Sequence, residues 1–188
     1  MGRLKGRWAV RGAAMAVVLA LVVPLATRPV LASDAELVTE ARKTLAVFKK
    51  SDPSLEKFAA RSAGYAVFPT VTKGAIGVGG AHGTGVLFVK GKAKGKASLT
   101  QVTVGAQLGG QEYSEVIFFE TPGAVADFEK GNVAFSAEAA AVALKSGASA
   151  DAKYKSGVAV FTATKGGLMA DASVGGQKFG YEPFAHSK

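Results

Sequence analysis

Apolar residues recur at helical spacing from Leu37 to Phe48, with Leu37, Val38, Ala41, Leu45 and Phe48 falling on one face. Ser33 and Asp34 stand ahead of this stretch as N-cap candidates. Glu36 and Glu40 come early and Arg42, Lys43, Lys49 and Lys50 late, an order that complements the helix dipole. Ser51-Asp52-Pro53 then ends this helix and opens a second, shorter one, with Leu55, Phe58 and Ala59 on one side. Two amphipathic helices covering a sheet are expected, with an interfacial, membrane-lying helix as the alternative.

From Gly64 the pattern changes to that of strands. Tyr65, Val67 and Val71 belong to one apolar run, and Val86 to Val89 form another. Between them lie Gly74, Gly77, Gly79, Gly80, Gly83 and Gly85, which predict tight turns, bulges, or a wall against which something packs closely. Lys90 to Lys96 follow as a lysine-tipped hairpin, and Leu99, Val102, Val104 and Ala106 resume the strand pattern. Ser114 to Glu120 predict another strand, and Thr121-Pro122 open a short helix carrying Val125, Ala126 and Phe128. Ser136 to Lys145 read as helix on alanine propensity and equally as a buried strand of small residues. Ala66-Val67-Phe68 and its Thr-Lys-Gly are echoed by Ala159-Val160-Phe161 and Thr164-Lys165-Gly166, which suggests two similar β-turn-β units in one sheet system.

Composition adds a compartment. Arg3, Lys5, Arg7 and Arg11 precede an apolar core from Ala13 to Ala26, and Val30-Leu31-Ala32 fits a small-x-small cleavage pattern. Residues 1–32 are therefore expected to be a secretory signal, with a retained anchor as the alternative, although Pro24 breaks a run already short for a span. Residues 33–188 are enough for a single domain. Much of the formal net charge of +9 would leave with the signal, which carries Arg28 as well as the four basic residues at its start. With no cysteine, the chain has no disulfide, thiolate metal site or acylated N-terminal cysteine. A periplasmic or secreted location suits these features.

The chemistry-bearing motifs fail one by one. From Gly77 a dinucleotide fingerprint requires glycine where His82 stands, and strand rather than helix follows. Gly91-Lys92 and Gly95-Lys96 lack the Ser or Thr that a P-loop places after lysine. His82 and His186 are far apart and have no clustered carboxylates, so no metal site is expected. No GxSxG elbow occurs, and Glu112, Glu115 and Glu120 form no acid and base pair. The expectation is a non-catalytic protein without a cofactor.

What remains is charge. Every second residue from Lys90 to Lys96 is lysine, so on an extended strand the ammonium groups of Lys90, Lys92, Lys94 and Lys96 would share one side. No carboxylate lies among them, a field that favours phosphate-bearing partners. The competing reading is a solvated tip that discourages edge pairing.

The string GYAVFPTVTKGAIGVGGAHGTGVLF, followed by GAQLGGQEYSEVIFF and an AVF...TKGGLMADAS segment, resembles the SYLF-domain family. The resemblance covers roughly Ser33 to Phe179. It implies an α+β fold: an antiparallel, barrel-like β-sheet covered by N-terminal helices and one short internal helix, with strand for Ser136 to Leu144. It also implies lipid binding, since eukaryotic members are lipid-binding and actin-associated. Thr162-Ala163-Thr164-Lys165 departs from the Tyr-Ser-x-Ser-Lys-like stretch frequent in the family, and neither an SH3 nor a FYVE module accompanies the domain. Actin is not expected as a partner of an exported protein.

The expected contact is with anionic phospholipid, a membrane surface or another phosphate-bearing envelope component. Lys90, Lys92, Lys94 and Lys96 would carry it, joined by Lys73 and Lys165 if their Thr-Lys-Gly turns converge. An envelope protein bound through a sheet edge or the first helix is the alternative partner. Nucleic acid is not expected, because the basic tip lacks interleaved aromatics on which bases could stack.

Overall fold

A computed structural model describes residues 33–76, 78–104, 109–133, 142–143, 150, 152–164 and 176–185. Helix α1 (Asp34–Ser51) starts at a capping box in which the Ser33 side chain accepts from the Glu36 amide and Glu36 accepts from the Ser33 amide. Helix α2 (Leu55–Arg61) follows after the Asp52-Pro53-Ser54 turn. Helix α3 (Pro122–Glu129) is capped by Thr121, with Pro122 in its first turn where no amide is needed.

The strands are β1 (Gly64–Ile76), β2 (Val78–Val89), β3 (Lys92–Val104), β4 (Gly109–Phe119), β5 (Val142–Ala143), β6 (Val158–Thr164) and β7 (Gln177–Pro183). They form one sheet in the order β5-β6-β4-β1-β2-β3-β7, antiparallel except where the two-residue β5 runs parallel to β6. Among the described residues the sheet is barrel-like but not closed, since β5 pairs only with β6 and β7 only with β3. The expected α+β class holds. For the ambiguous stretch 136–145 the structure describes only the strand pair Val142–Ala143, and the rest lies outside the described residues.

Where α1 and α2 cover its outer side and α3 its inner side, both faces of the sheet are buried, which explains why the central strands read there as near-continuous apolar runs. On the outer face Val67, Val86, Phe88, Val116, Phe118, Ala159 and Phe161 pack beneath α1 and α2. Phe58 of α2 sits 5.9 Å from Phe118 and 5.2 Å from Phe161, ring centre to ring centre. On the inner face Ala66, Phe68, Val71, Leu87, Leu99, Ile117 and Phe119 gather around α3. Phe128 of α3 lies 4.9 Å from Phe119 on β4 and 5.3 Å from Phe179 on β7. One phenyl ring meets two strands that have three others between them, so the sheet must curl around α3.

Register explains the glycines and the internal echo. Gly83 and Gly85 lie within β2 rather than in a loop, and they are the wall that the sequence pattern left as one of three options. A Cβ on Gly85 would fall 2.7 Å from Phe68 Cδ1 and against the Val67 carbonyl, so the strand is bare where Phe68 enters the core. Phe68-Pro69 is a bulge inside β1, and Ser114 Oγ donates to the Pro69 carbonyl at 2.7 Å. β1 and β6 both flank β4, yet Ile117 pairs with Ala66 on one side and with Val160 on the other. The echoed triplets are thus offset by one residue, which turns equivalent residues to opposite faces. Val67 packs outward and Val160 inward, so the echo is not a repeated unit.

Candidate functional site

The lysine segment sits at the β2–β3 connection. Val89 pairs with Lys92, leaving Lys90-Gly91 as a two-residue turn. Lys90 has φ 50° and Gly91 φ 73°, so both central residues are left-handed, as a type I′ hairpin turn demands. Glycine meets that demand without cost, whereas lysine at positive φ is strained by roughly 1–2 kcal/mol. The hairpin is as expected, but its tip is shorter, because Lys92 to Lys96 already belong to β3.

The lysines do not share one side. Register slips by a residue at Lys94, so Phe88 pairs with Ala93 and Leu87 with Gly95. Lys96 therefore lies beside Val86 on the outer face, while Lys92 stands opposite Val89, whose side chain joins the inner core. Alternation along a regular strand would have aligned them; a bulge breaks that period. Lys96 also finds a carboxylate, with Nζ 3.7 Å from Glu182 Oε2 on the neighbouring β7. Lys90, Lys92 and Lys94 are exposed and make no ion pair among the described residues.

A cation from another element completes the cluster. Arg42 of α1 donates from a guanidinium nitrogen to the Gly91 carbonyl at 3.3 Å, and its Cζ lies 5.2 Å from the centre of the Phe88 ring. Phe88 is stacked in turn on Tyr65, 5.1 Å away with ring planes 19° apart. Burial pushes the Tyr65 hydroxyl above its ordinary pKa, and the positive charge of Arg42 partly offsets the rise. Arg42 thus ties α1 to the turn and adds a positive charge at its Gly91 carbonyl. In the sequence it was legible only as a basic residue late in a helix; the contact spans 49 positions along the chain.

Lys73 does not join this group. Its Thr-Lys-Gly segment runs inside β1 instead of turning, and Lys73 points to the inner side at 9% exposure, paired across the strands with Ala81 and Gln111. Ala81 and Lys90 are separated by the length of β2, about 30 Å at the strand rise of ~3.3 Å per residue. Lys165 lies outside the described residues, as do the expected signal at 1–32 and His186. The convergence of the two Thr-Lys-Gly turns is corrected accordingly: one of them is not a turn.

A second polar group lies inside the curl. Glu115 is fully buried and accepts from Gln177 Nε2 at 3.0 Å; the same nitrogen lies 3.4 Å from the Tyr113 hydroxyl. Burial pushes the Glu115 carboxyl up to about 8, and the Gln177 hydrogen bond opposes that rise. Tyr113 is held well above its ordinary value by burial, then by the neighbouring Glu115. At 0% exposure Glu115 offers no surface to a substrate, while Glu112 and Glu120 stand exposed. Sequence reading missed this group. Its signal was alternation: Tyr113, Glu115, Ile117 and Phe119 share one face, as do Gln177, Phe179 and Tyr181.

Residues 100–182 match the family model described as Ysc84: Las17-binding protein actin regulator. The resemblance to the SYLF-domain family read from the sequence holds over that segment. The matched span starts in β3 after Lys96 and ends in β7, so it takes in Glu115, α3 and Gln177 but not the basic turn. No curated protein matches the chain.

Proposed function

We propose that this chain is an exported, non-catalytic SYLF-type protein that contacts anionic phospholipid, or another phosphate-bearing component of the cell envelope, through the β2–β3 turn. The observation that carries the reading is the set of exposed lysines Lys90, Lys92 and Lys94 at the turn, which make no ion pair among the described residues, together with the Arg42 guanidinium fixed on the Gly91 carbonyl. Lys96 contributes less, because Glu182 offsets part of its charge. A lysine near an anionic surface contributes about 1 kcal/mol, so this group supports reversible contact rather than permanent anchoring. The left-handed Lys90 favours the same reading, since strain that glycine or asparagine would relieve is kept where the side chain projects. Export rests on the basic, apolar and small-x-small pattern of residues 1–32.

Flotation of the full-length protein with phosphatidylglycerol vesicles and with phosphatidylcholine vesicles, across a salt series, tests this. Binding to the anionic vesicles alone, weakening as salt rises, is the expected result. Equal binding to both kinds, unchanged by salt, would sink the idea.

A protein-interaction module of the envelope is the second reading. Val102 favours it, being 73% exposed on β3, as does the family description, which names a protein partner and actin regulation. Apolar contact of this kind persists at high salt, so the same series separates the two readings.

A further inference from the structure

The outer face also carries a groove of about 380 Å³ between α2 and the segment leading into β6. Lys57, Arg61 and Lys153 line it together with Glu120, Phe58 and Tyr154. None of the three cations forms an ion pair among the described residues, so the lining carries three positive charges against the one carboxylate. The rest of the lining is Ser54, Ala150, Ala152 and two aromatic side chains, Phe58 and Tyr154, which stand 5.3 Å apart, ring centre to ring centre. The Tyr154 hydroxyl is buried and has no hydrogen-bond partner among the described residues. Burial first, and Glu120 next, hold that phenol above its ordinary pKa, with Arg61 opposing, so it remains a proton donor at neutral pH.

We propose that this groove binds a small phosphomonoester bearing an apolar or aromatic substituent, its phosphate held by Arg61, Lys57 and Lys153 and its substituent lying on Phe58 and Tyr154. The charge count selects the anion, because a dianion balances three cations and a carboxylate. Arg61 supplies the planar fork that suits phosphate oxygens, and the two lysines supply point charges. The two aromatic side chains select an organic monoester over inorganic phosphate. The volume sets the size, since about 380 Å³ is near the lower end of small-ligand sites. No membrane is needed for this binding, and it stands or falls independently of the turn.

Isothermal titration of the full-length protein with phenyl phosphate, inorganic phosphate and benzyl alcohol tests both halves of the site. Phenyl phosphate is expected to bind one to one, inorganic phosphate about tenfold more weakly, and benzyl alcohol not measurably, tenfold being ~1.4 kcal/mol. The double variant Arg61→Gln, Lys153→Gln is expected to lose at least about tenfold, since charge-assisted bonds to phosphate are among the strong ones. Lys90→Glu, Lys92→Glu, Lys94→Glu in one chain should leave phenyl phosphate binding unchanged. Equal affinity for the two phosphates, no saturable binding of phenyl phosphate, or full affinity in the Arg61 and Lys153 variant would overturn the proposal. The same chemistry occurs on lipid headgroups and on soluble phosphomonoesters. Displacement of phenyl phosphate by monomeric dihexanoyl phosphatidate supports the site with a lipid source, and failure to displace supports it with a soluble one.

Discussion

Gln177 on β7 donates from Nε2 to Glu115 Oε2 on β4 at 3.0 Å, although β1, β2 and β3 lie between these two strands in the sheet. The hydrogen bond lies on the inner face of the sheet, the same face as the Phe128 contacts with Phe119 and Phe179. It therefore links the far edge of the sheet to its centre through a carboxyl group that burial keeps protonated.

That protonation has a direction in pH. The Glu115 carboxyl holds its proton in the folded chain up to about 8 and releases it in the unfolded chain near the ordinary value of 4.5. Between these values folding takes up a proton, so the stability contributed by the protonated group is present at acid pH and is lost as pH rises towards about 8. The slope approaches ~1.4 kcal/mol per pH unit. Denaturant unfolding from pH 5 to pH 9 is expected to show this decline in the native chain and a flatter profile in Glu115→Gln, which cannot ionise. A Glu115→Gln profile as steep as the native one would show that other groups set the pH dependence.

Gly85→Ala places a methyl group where Phe68 and the Val67 carbonyl already lie. Overpacking a close-packed core costs about 1–3 kcal/mol, and contact with backbone leaves little room to relax, so a loss at the upper end is expected. Gly74→Ala is the control, because a Cβ there meets nothing within 4 Å. Chemical denaturation of both variants checks the pair: comparable losses would mean that Gly85 is not the wall of the Phe68 pocket.

Lys90 holds a conformation that suits asparagine better. Lys90→Asn is expected to raise stability by about 1 kcal/mol, the cost of a left-handed residue without a local hydrogen bond, while weakening vesicle binding. Opposite signs in the two assays distinguish a strained functional position from an ordinary turn. A variant that is more stable and binds vesicles as well as the native chain would remove Lys90 from the site.

The elements that announced themselves are those fixed by local chemistry. The capping box of Ser33 with Glu36 and the Thr121-Pro122 start of α3 both lie within a few residues of the helices they open. What stayed hidden depends on register with a distant strand. The slip at Lys94 arises between β2 and β3, and it separates Lys92 from Lys96 although their spacing is even. The one-residue offset of β1 and β6 against Ile117 is invisible in two segments that look alike. β7 was not anticipated, since Gln177, Phe179 and Tyr181 alternate within a short segment near the C-terminus and gain their meaning from the curl that brings them over Glu115. Arg42 needed the fold for the same reason: Gly91 and Phe88 come to it only when α1 packs on the sheet.

The basic turn as a contact for anionic lipid is tested most directly by charge reversal at its three lysines that make no ion pair among the described residues. Flotation with phosphatidylglycerol vesicles at low salt is measured for the native full-length chain and for Lys90→Glu, Lys92→Glu, Lys94→Glu combined, alongside their thermal unfolding. The expected result is binding by the native chain, binding lost in the variant, and cooperative unfolding retained in both, because all three side chains are exposed. Undiminished flotation of a folded variant would contradict the account.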